Sequence, residues 1–357
     1  MQTYVKQTSP YIRKDTSVKR MMVDVLIALI PLVIFAIYRF RFDAVWRLLI
    51  AVIAMILTEC ITVMLRHKPH PRVEGFMPRF MDRFSKLSWL NVITPSISAI
   101  IFVMMIPSTL PLYVVFISAF LGLLLAKMVF GGLGSNIFNP AAAAFIIALV
   151  SFASSFSYVG IDAIAGATPL GAIGDSLLNI PNLLQNYSLT DLLLGDIPGG
   201  MGEISAVLIL VGGAYLFIRK AADYRITLSM LLVFSLLMVV AALAVKGDIV
   251  NILLYQLLTG GLLFGAVYMA TDPVTAPVTK PGRWLYGLLL GGLVVVIRLF
   301  GSHIEGMAFA ILISNMFVPL IDYYKWSNPK YTWKMWLGYG VALILLCVIV
   351  FIGLGGL

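Results

Sequence analysis

Charge is what this sequence has little of. Only 11% of its 357 residues are Asp, Glu, Lys or Arg, while 61% are hydrophobic and the mean hydropathy is +1.00, a balance far outside that of a soluble globular domain. Cysteine is almost absent. Cys60 and Cys347 lie far apart, each within an apolar stretch, so they read as packing residues and leave neither a disulfide nor an iron–sulfur cluster built from this chain alone. His67, His70 and His303 are scattered through polar connections without paired spacing, which argues against a metal site. The short alternating segments of a membrane β-barrel are also missing. Residues 1–20 are polar, and the first apolar run lacks a small-residue cleavage site, so no signal peptide is expected.

What the sequence does have is repeated apolar runs of about 15 to 22 residues, the length that crosses roughly 30 Å of hydrocarbon as a helix. Only helices satisfy every backbone hydrogen bond in such a run. The runs predict spans near 22–38, 45–65, 92–107, 111–130, 139–156, 204–218, 226–245, 249–269, 284–300, 307–324 and 333–354. The formal charge of +9 does not point to nucleic acid, because the basic residues sit in short segments between the runs, as orientation signals do. Lys6, Arg13, Lys14, Lys19 and Arg20 precede the first span, and Arg66, Lys68, Arg72, Arg79, Arg83 and Lys86 follow the second. Both segments are expected in the cytoplasm. If each run crosses once, the connections holding Arg219, Lys220 and Arg225, Lys280 and Arg283, and Lys325 and Lys330 fall on the same side. Residues 157–203 then lie outside, and they carry Asp162, Asp175, Asp191, Asp196 and Glu203 but no Lys or Arg.

An internal echo suggests a duplicated core. Ser135-Asn136-Ile137-Phe138-Asn139-Pro140 opens the fifth span and Ser314-Asn315-Met316-Phe317-Val318-Pro319 lies within the tenth; Pro-bearing turns at 106–108 and 271–273 join the span pairs before them. Five spans per half makes the halves inverted, an arrangement that places sites near the midplane where helices are interrupted. The expected fold is an all-α polytopic membrane protein with a ten-helix core of two inverted five-helix repeats, similar to urea transporters, and an eleventh C-terminal helix. Its segments are a cytoplasmic 1–21, a first repeat 22–156, an outer loop 157–203, a second repeat 204–324 and the addition 325–357.

The outer loop contains Asp162-Ala163-Ile164-Ala165-Gly166-Ala167-Thr168-Pro169-Leu170. A glycine beside small residues leaves the backbone open to an enzyme, and Pro169 biases Thr168 toward an extended conformation that presents its hydroxyl. A carboxylate six residues earlier can help orient a metal-bound phosphate donor. Taken alone, these residues describe an exposed turn. The pattern Asp-x-x-Ala-Gly-Ala-Thr nevertheless resembles the recognition sequence of the flavin transferase that joins FMN to Thr or Ser through a phosphoester; Ala165 departs from it, Ser or Thr being usual there. Further stretches are similar to the family that joins the D subunit of the Rnf ferredoxin:NAD+ oxidoreductase complex and the B subunit of the sodium-pumping NADH:quinone reductase. They are Ser9-Pro10-Tyr11, residues 130–141 (Phe-Gly-Gly-Leu-Gly-Ser-Asn-Ile-Phe-Asn-Pro-Ala), residues 271–277 (Thr-Asp-Pro-Val-Thr-Ala-Pro) and residues 318–324 (Val-Pro-Leu-Ile-Asp-Tyr-Tyr). The compact amino terminus favours the Rnf side.

The resemblance implies an electron-transfer component in a bacterial inner membrane, with FMN esterified to Thr168 in the segment Asp162, Gly166 and Ala167. It also implies a non-covalent riboflavin near Asn136, Asn139 and Asp272, coupling to Na+ or H+ movement, and a flavin transferase for maturation. Its implied partners are the other Rnf subunits, among them the membrane-anchored, FMN-bearing G subunit and the membrane subunits A and E. From the residues themselves, Asn136 and Asn139 are expected on one helical face, where amides offer donors and acceptors to a ring edge; alternatively they cap a broken helix and Asp272 caps a turn. Glu59, midway along the second span, is a candidate for an ion pathway, and Arg298 is expected to snorkel. Two rival readings stand beside this one. A transporter or channel of the urea or ammonium type leaves the segment around Thr168 idle, and a scaffold protein would keep a vestigial site.

Overall fold

The computed structural model describes residues 17–69, 73–159, 165–166, 168–174, 176–301, 306–323, 327 and 329–355. Asp162, Ala167, Asp175, His70, His303, Ser9-Pro10-Tyr11 and Tyr324 lie outside the described residues. The chain is helical almost throughout, and each expected span has its helix. These helices are α1 (Val18–Phe40) and α2 (Phe42–Arg66), the short α3 (Phe76–Phe84), then α4 (Leu90–Met105), α5 (Leu112–Met128) and α6 (Pro140–Ser151). The loop that follows carries α7 (Ile180–Asn186) and α8 (Leu189–Leu194). Next come α9 (Ala206–Ile218), α10 (Tyr224–Ala244), α11 (Ile249–Leu258), α12 (Leu262–Met269), α13 (Lys280–Phe300), α14 (Met307–Ile321) and α15 (Trp333–Gly353).

Local chemistry sets the breaks. Ser17 caps α1 by accepting from Arg20 N–H at 3.2 Å, and Arg41, with φ of 51°, turns the chain straight into α2. The run expected as one span over 249–269 is two helices, α11 and α12, meeting at 62°. Between them stands Thr259-Gly260-Gly261, with Gly260 at φ +66°, a conformation that glycine adopts without steric penalty. Close helix pairs depend on small residues. A Cβ on Gly122 of α5 would lie 2.5 Å from the Ala144 Cβ of α6, and one on Gly291 of α13 only 2.7 Å from the Met230 carbonyl of α10.

The connections sort into two ends. At one end, Arg39 at the close of α1 binds the carbonyls of Gly195 and Ile197 and the carboxylate of Asp196. Arg47 of α2, at that same end, donates to Leu110 O at 2.9 Å. The acidic loop 157–203 therefore shares an end with the α1–α2 and α4–α5 turns. At the other end, Asp24 near the start of α1 pairs with Arg219 at the close of α9, 3.2 Å away, and His67 meets Asp82 of α3 at 3.1 Å. This second end collects Lys68, Arg79, Arg83, Lys86, Lys220, Lys280 and Arg283. Here α3 displays Phe76, Phe80 and Phe84 as an exposed stacked row with ring centroids 6.4 Å apart.

The sequence echo has two structural outcomes. Asn136 precedes α6 in a non-helical segment and Asn139 is its N-cap, so the expectation of one shared helical face is corrected: Asn139-Pro140 starts a helix, as a capping side chain followed by proline at N1 does. Asn315 instead lies buried inside α14, which continues through Pro319. π-helical turns occur at Leu124–Met128 and Gly265–Met269, in the fourth and eighth apolar segments, which an offset of five spans does not bring together.

Candidate functional site

Inside the bundle, near the basic end, α1, α4, α5, α6, α9 and α12 line an open-mouthed cavity. Its wall is apolar except for a few side chains, among them Thr94, Lys127, Asn136, Asn139 and Asp272. The structure thus brings together Asn136, Asn139 and Asp272, although Asp272 is far from the other two in sequence. Each is held differently. Asn139 Oδ1 accepts from Ala141 N–H at 3.0 Å and Ala142 N–H at 3.2 Å, and its Nδ2 donates to Met269 O. The cap therefore also ties α6 to the last turn of α12. Asp272, in the turn after α12, accepts from Val274 N–H and Thr275 Oγ1, both at 3.2 Å. Burial holds its carboxyl above the usual carboxylate range, opposed by these two hydrogen bonds and by the charge of Lys127.

Asn136 differs from both. It is 8% exposed, and its Oδ1 has no hydrogen-bond partner. An orphaned acceptor at that depth is destabilising unless something donates to it. In a wall that also offers an ammonium and a hydroxyl, it suits a polar ring edge bearing N–H groups.

Glu59 does not line this cavity. It is 1% exposed and accepts from Lys127 Nζ at 2.6 Å and from Asn91 Nδ2 at 3.1 Å. Lys127, 3% exposed, also donates to Thr94 Oγ1 at 2.9 Å and reaches the cavity wall from the π-wound turn of α5. Sequence reasoning missed this lysine, although the signal was plain: one ammonium within an apolar run is expensive in lipid and needs a partner. Arg298 does not snorkel. It donates to Gln256 O at 2.7 Å and Thr259 O at 3.0 Å, where α11 ends, and stands 5.3 Å over the Phe234 ring, so it satisfies carbonyls that the helix break exposes.

Thr168 lies at the opposite, acidic end. Tyr158–Val159 pairs antiparallel with Ala165–Gly166, and Thr168 follows that small hairpin. The residue is half-buried, and its Oγ1 accepts from Gly171 N–H at 3.0 Å. The next residue is the anchor: Pro169 O accepts from the buried Tyr255 hydroxyl of α11 at 2.7 Å. Leu170 is buried against the bundle as well. The hydroxyl oxygen thus sits on a fixed turn with its acceptor role already in use, a geometry that an ester oxygen can keep. Among the described residues no group of three or more His, Cys, Asp or Glu could hold a metal ion.

A bundle of apolar helices with a polar-spotted pocket inside it defines a polytopic helical membrane protein. The sequence narrows this. A family model described as NQR2, RnfD, RnfE matches residues 5–330, and the chain belongs to that family. It is 32% identical over 333 residues to the D subunit of the proton-translocating ferredoxin:NAD(+) oxidoreductase complex of Clostridium ljungdahlii, covering 90% of this chain and 94% of that one. It is 30% identical to the D subunit of the ion-translocating oxidoreductase complex of Actinobacillus succinogenes, over 94% of this chain and 98% of that protein. The B subunit of the Na(+)-translocating NADH-quinone reductase of Klebsiella pneumoniae is 35% identical over 241 residues, which are 64% of this chain and 58% of the relative.

Proposed function

We propose that this chain is a membrane component of an ion-translocating oxidoreductase complex of the ferredoxin:NAD+ type, inactive alone, that passes electrons between a flavin esterified to Thr168 and a second flavin in the inner pocket. Family membership across residues 5–330, and the oxidoreductase complexes to which the relatives belong, support the coarse part. One observation carries the finer part: the orphaned Oδ1 of Asn136, a residue that lines the cavity together with Asn139, Lys127 and Asp272.

When bound, the flavins supply the redox chemistry and the protein supplies position and polarity. Tyr255 fixes the turn that carries the Thr168 ester, and Asn136 and Lys127 offer an acceptor and a charged donor to the second ring. Asp162 and Ala167, with Gly166, complete the segment that the flavin transferase grips. The basic end faces the cytoplasm, in keeping with the positive-inside rule, which sets Thr168 on the outer side of a bacterial inner membrane. Redox-linked Na+ or H+ movement uses buried charge, for which Glu59 is the candidate. The partners are the other components of the complex, including the FMN-bearing G subunit and the membrane subunits A and E.

The bend between α11 and α12 also suits a transporter, since broken helices line solute sites. Flavin fluorescence in a denaturing gel separates the two readings. A band that stays fluorescent in SDS and disappears in Thr168→Val, with the folded protein still in the membrane, supports the carrier. A dark band from cells that contain the transferase refutes covalent attachment and favours transport.

A further inference from the structure

Buried ion pairs inside membrane bundles are costly to desolvate, and the one between Glu59 and Lys127 is asymmetric about the cavity. Lys127 borders the cavity; Glu59 stands behind it on α2, held in place by Asn91 from α4. Among the described side chains lining the cavity, Lys127 is the sole Lys or Arg. Thr94 Oγ1 accepts from the same ammonium and borders the same space. The pair is neutral as a unit. Any negative charge that arrives in the cavity therefore meets an ammonium already present, at a depth where a charge is screened far less than in water.

Resting on the pocket reading above, we propose that Lys127 is a positioning residue of the second flavin: it balances the negative charge that the ring gains on reduction, and Glu59 sets how much of the lysine's field the ring receives. The electron comes from the flavin on the Thr168 turn. No bond forms or breaks at Lys127, which keeps its three protons and shifts its electrostatic interaction from Glu59 toward the ring. Thr94 holds the ammonium at the wall between the two. The π-wound turn Leu124–Met128 places the lysine there, and such turns recur at functional positions.

The arrangement assigns opposite signs to two substitutions. Glu59→Gln keeps the lysine and removes its competitor, so the reduced ring is held more tightly and its midpoint potential rises. Lys127→Met removes the compensating charge, so the midpoint falls. A tenfold change in the hold on the reduced form reads as about 59 mV for a one-electron step or about 30 mV for a two-electron step.

The measurement is a spectroelectrochemical titration of the purified complex on a Thr168→Val background, where this chain's own covalent chromophore is gone, with each variant read as a difference from that parent so that the flavin of the G subunit cancels. Lys127→Arg keeps the charge and should stay near the parent. The double variant Glu59→Gln with Lys127→Met removes both charges and guards against misfolding of the single lysine variant; its midpoint should fall below that of Glu59→Gln alone. Shifts of the same sign in the two single variants, or no shift in either, overturn the assignment while the flavin content stands. Absence of extractable flavin from the parent protein overturns the pocket reading itself, and the inference with it.

Discussion

The two ends of this bundle are built on different physical terms. The Thr168 turn is local: a hairpin, a proline and a hydroxyl hydrogen bond spanning three residues, fastened to the bundle by one tyrosine hydroxyl. None of these bonds involves a charged side chain. The inner pocket is assembled from segments across much of the chain, from Met22 to Val274, and its polar groups include the lysine of a buried ion pair, an orphaned amide oxygen and the carboxyl of Asp272. On the proposed function, the difference would mean that a covalent attachment point needs only a presentable hydroxyl, whereas a non-covalent site must be preformed by the fold. A single bent segment serves both: Tyr255 on α11 holds the outer turn, and Tyr268 on α12 lines the inner pocket.

If the pocket depends on buried charge, its weakest point is the ion pair. Lys127→Met strands the Glu59 carboxylate at 1% exposure, and breaking such a pair from one side costs about 3–5 kcal/mol. Thermal unfolding in detergent should fall sharply, and removing the charge of Glu59 as well, with Gln, should restore most of the loss. Equal destabilisation of the double variant would mean the pair contributes packing rather than charge compensation.

The outer turn should break more gently and without touching the pocket. Tyr255→Phe leaves Pro169 O without its buried donor, a loss of about 1–3 kcal/mol concentrated on the turn that presents Thr168. Covalent flavin per protein, read by denaturing-gel fluorescence, is expected to drop while extractable flavin holds constant. A fall in both together would contradict the independence of the two sites.

Asn136→Leu sharpens the contrast from the other side. Replacing a side chain whose Oδ1 has no partner removes a desolvation penalty, so the flavin-free protein should be no less stable, within about 1 kcal/mol. The extractable flavin should nevertheless be lost and the covalent flavin kept. Retention of both flavins in this variant would leave the orphaned oxygen without a role in binding.

How far each end was legible follows from the same contrast. The spans were legible because an apolar run of that length has few other fates in water or lipid. The Thr168 segment stands out in the sequence because its residues are contiguous. The break at Thr259-Gly260-Gly261 is announced by paired glycines, and the N-cap by Asn139-Pro140, yet hydropathy averaged along an apolar run hides both. Lys127 is hidden in the same way, one charge among apolar neighbours. Its partner Glu59 lies 68 residues away, and nothing short of the packed bundle places the two together. Arg298 departs from the snorkelling expectation for a related reason: the carbonyls it binds become available only once α11 ends.

The smallest effect is expected at α15. The match to the family model ends at residue 330 and α15 begins at Trp333, so this helix lies beyond the stretch that the model matches. Its attachment is slight. Val350 is its one fully buried residue, Tyr339 shares a 3.0 Å hydrogen bond with Ser229, and Trp336 meets Trp284 edge-on at 5.6 Å. The faces of α10 and α13 that it covers are otherwise apolar, and lipid chains replace an apolar helix there without the penalty that water would impose. Gly353 and Leu354 reach a cleft that also holds Leu170, so the end of α15 borders the outer turn but not the inner pocket. A chain ending at residue 330 should therefore insert and keep its extractable flavin, with at most a modest fall in covalent flavin, both measured on the purified complex. Loss of the extractable flavin on this truncation would mean that the inner pocket depends on a helix that does not line it, and the separation of the two ends would fail.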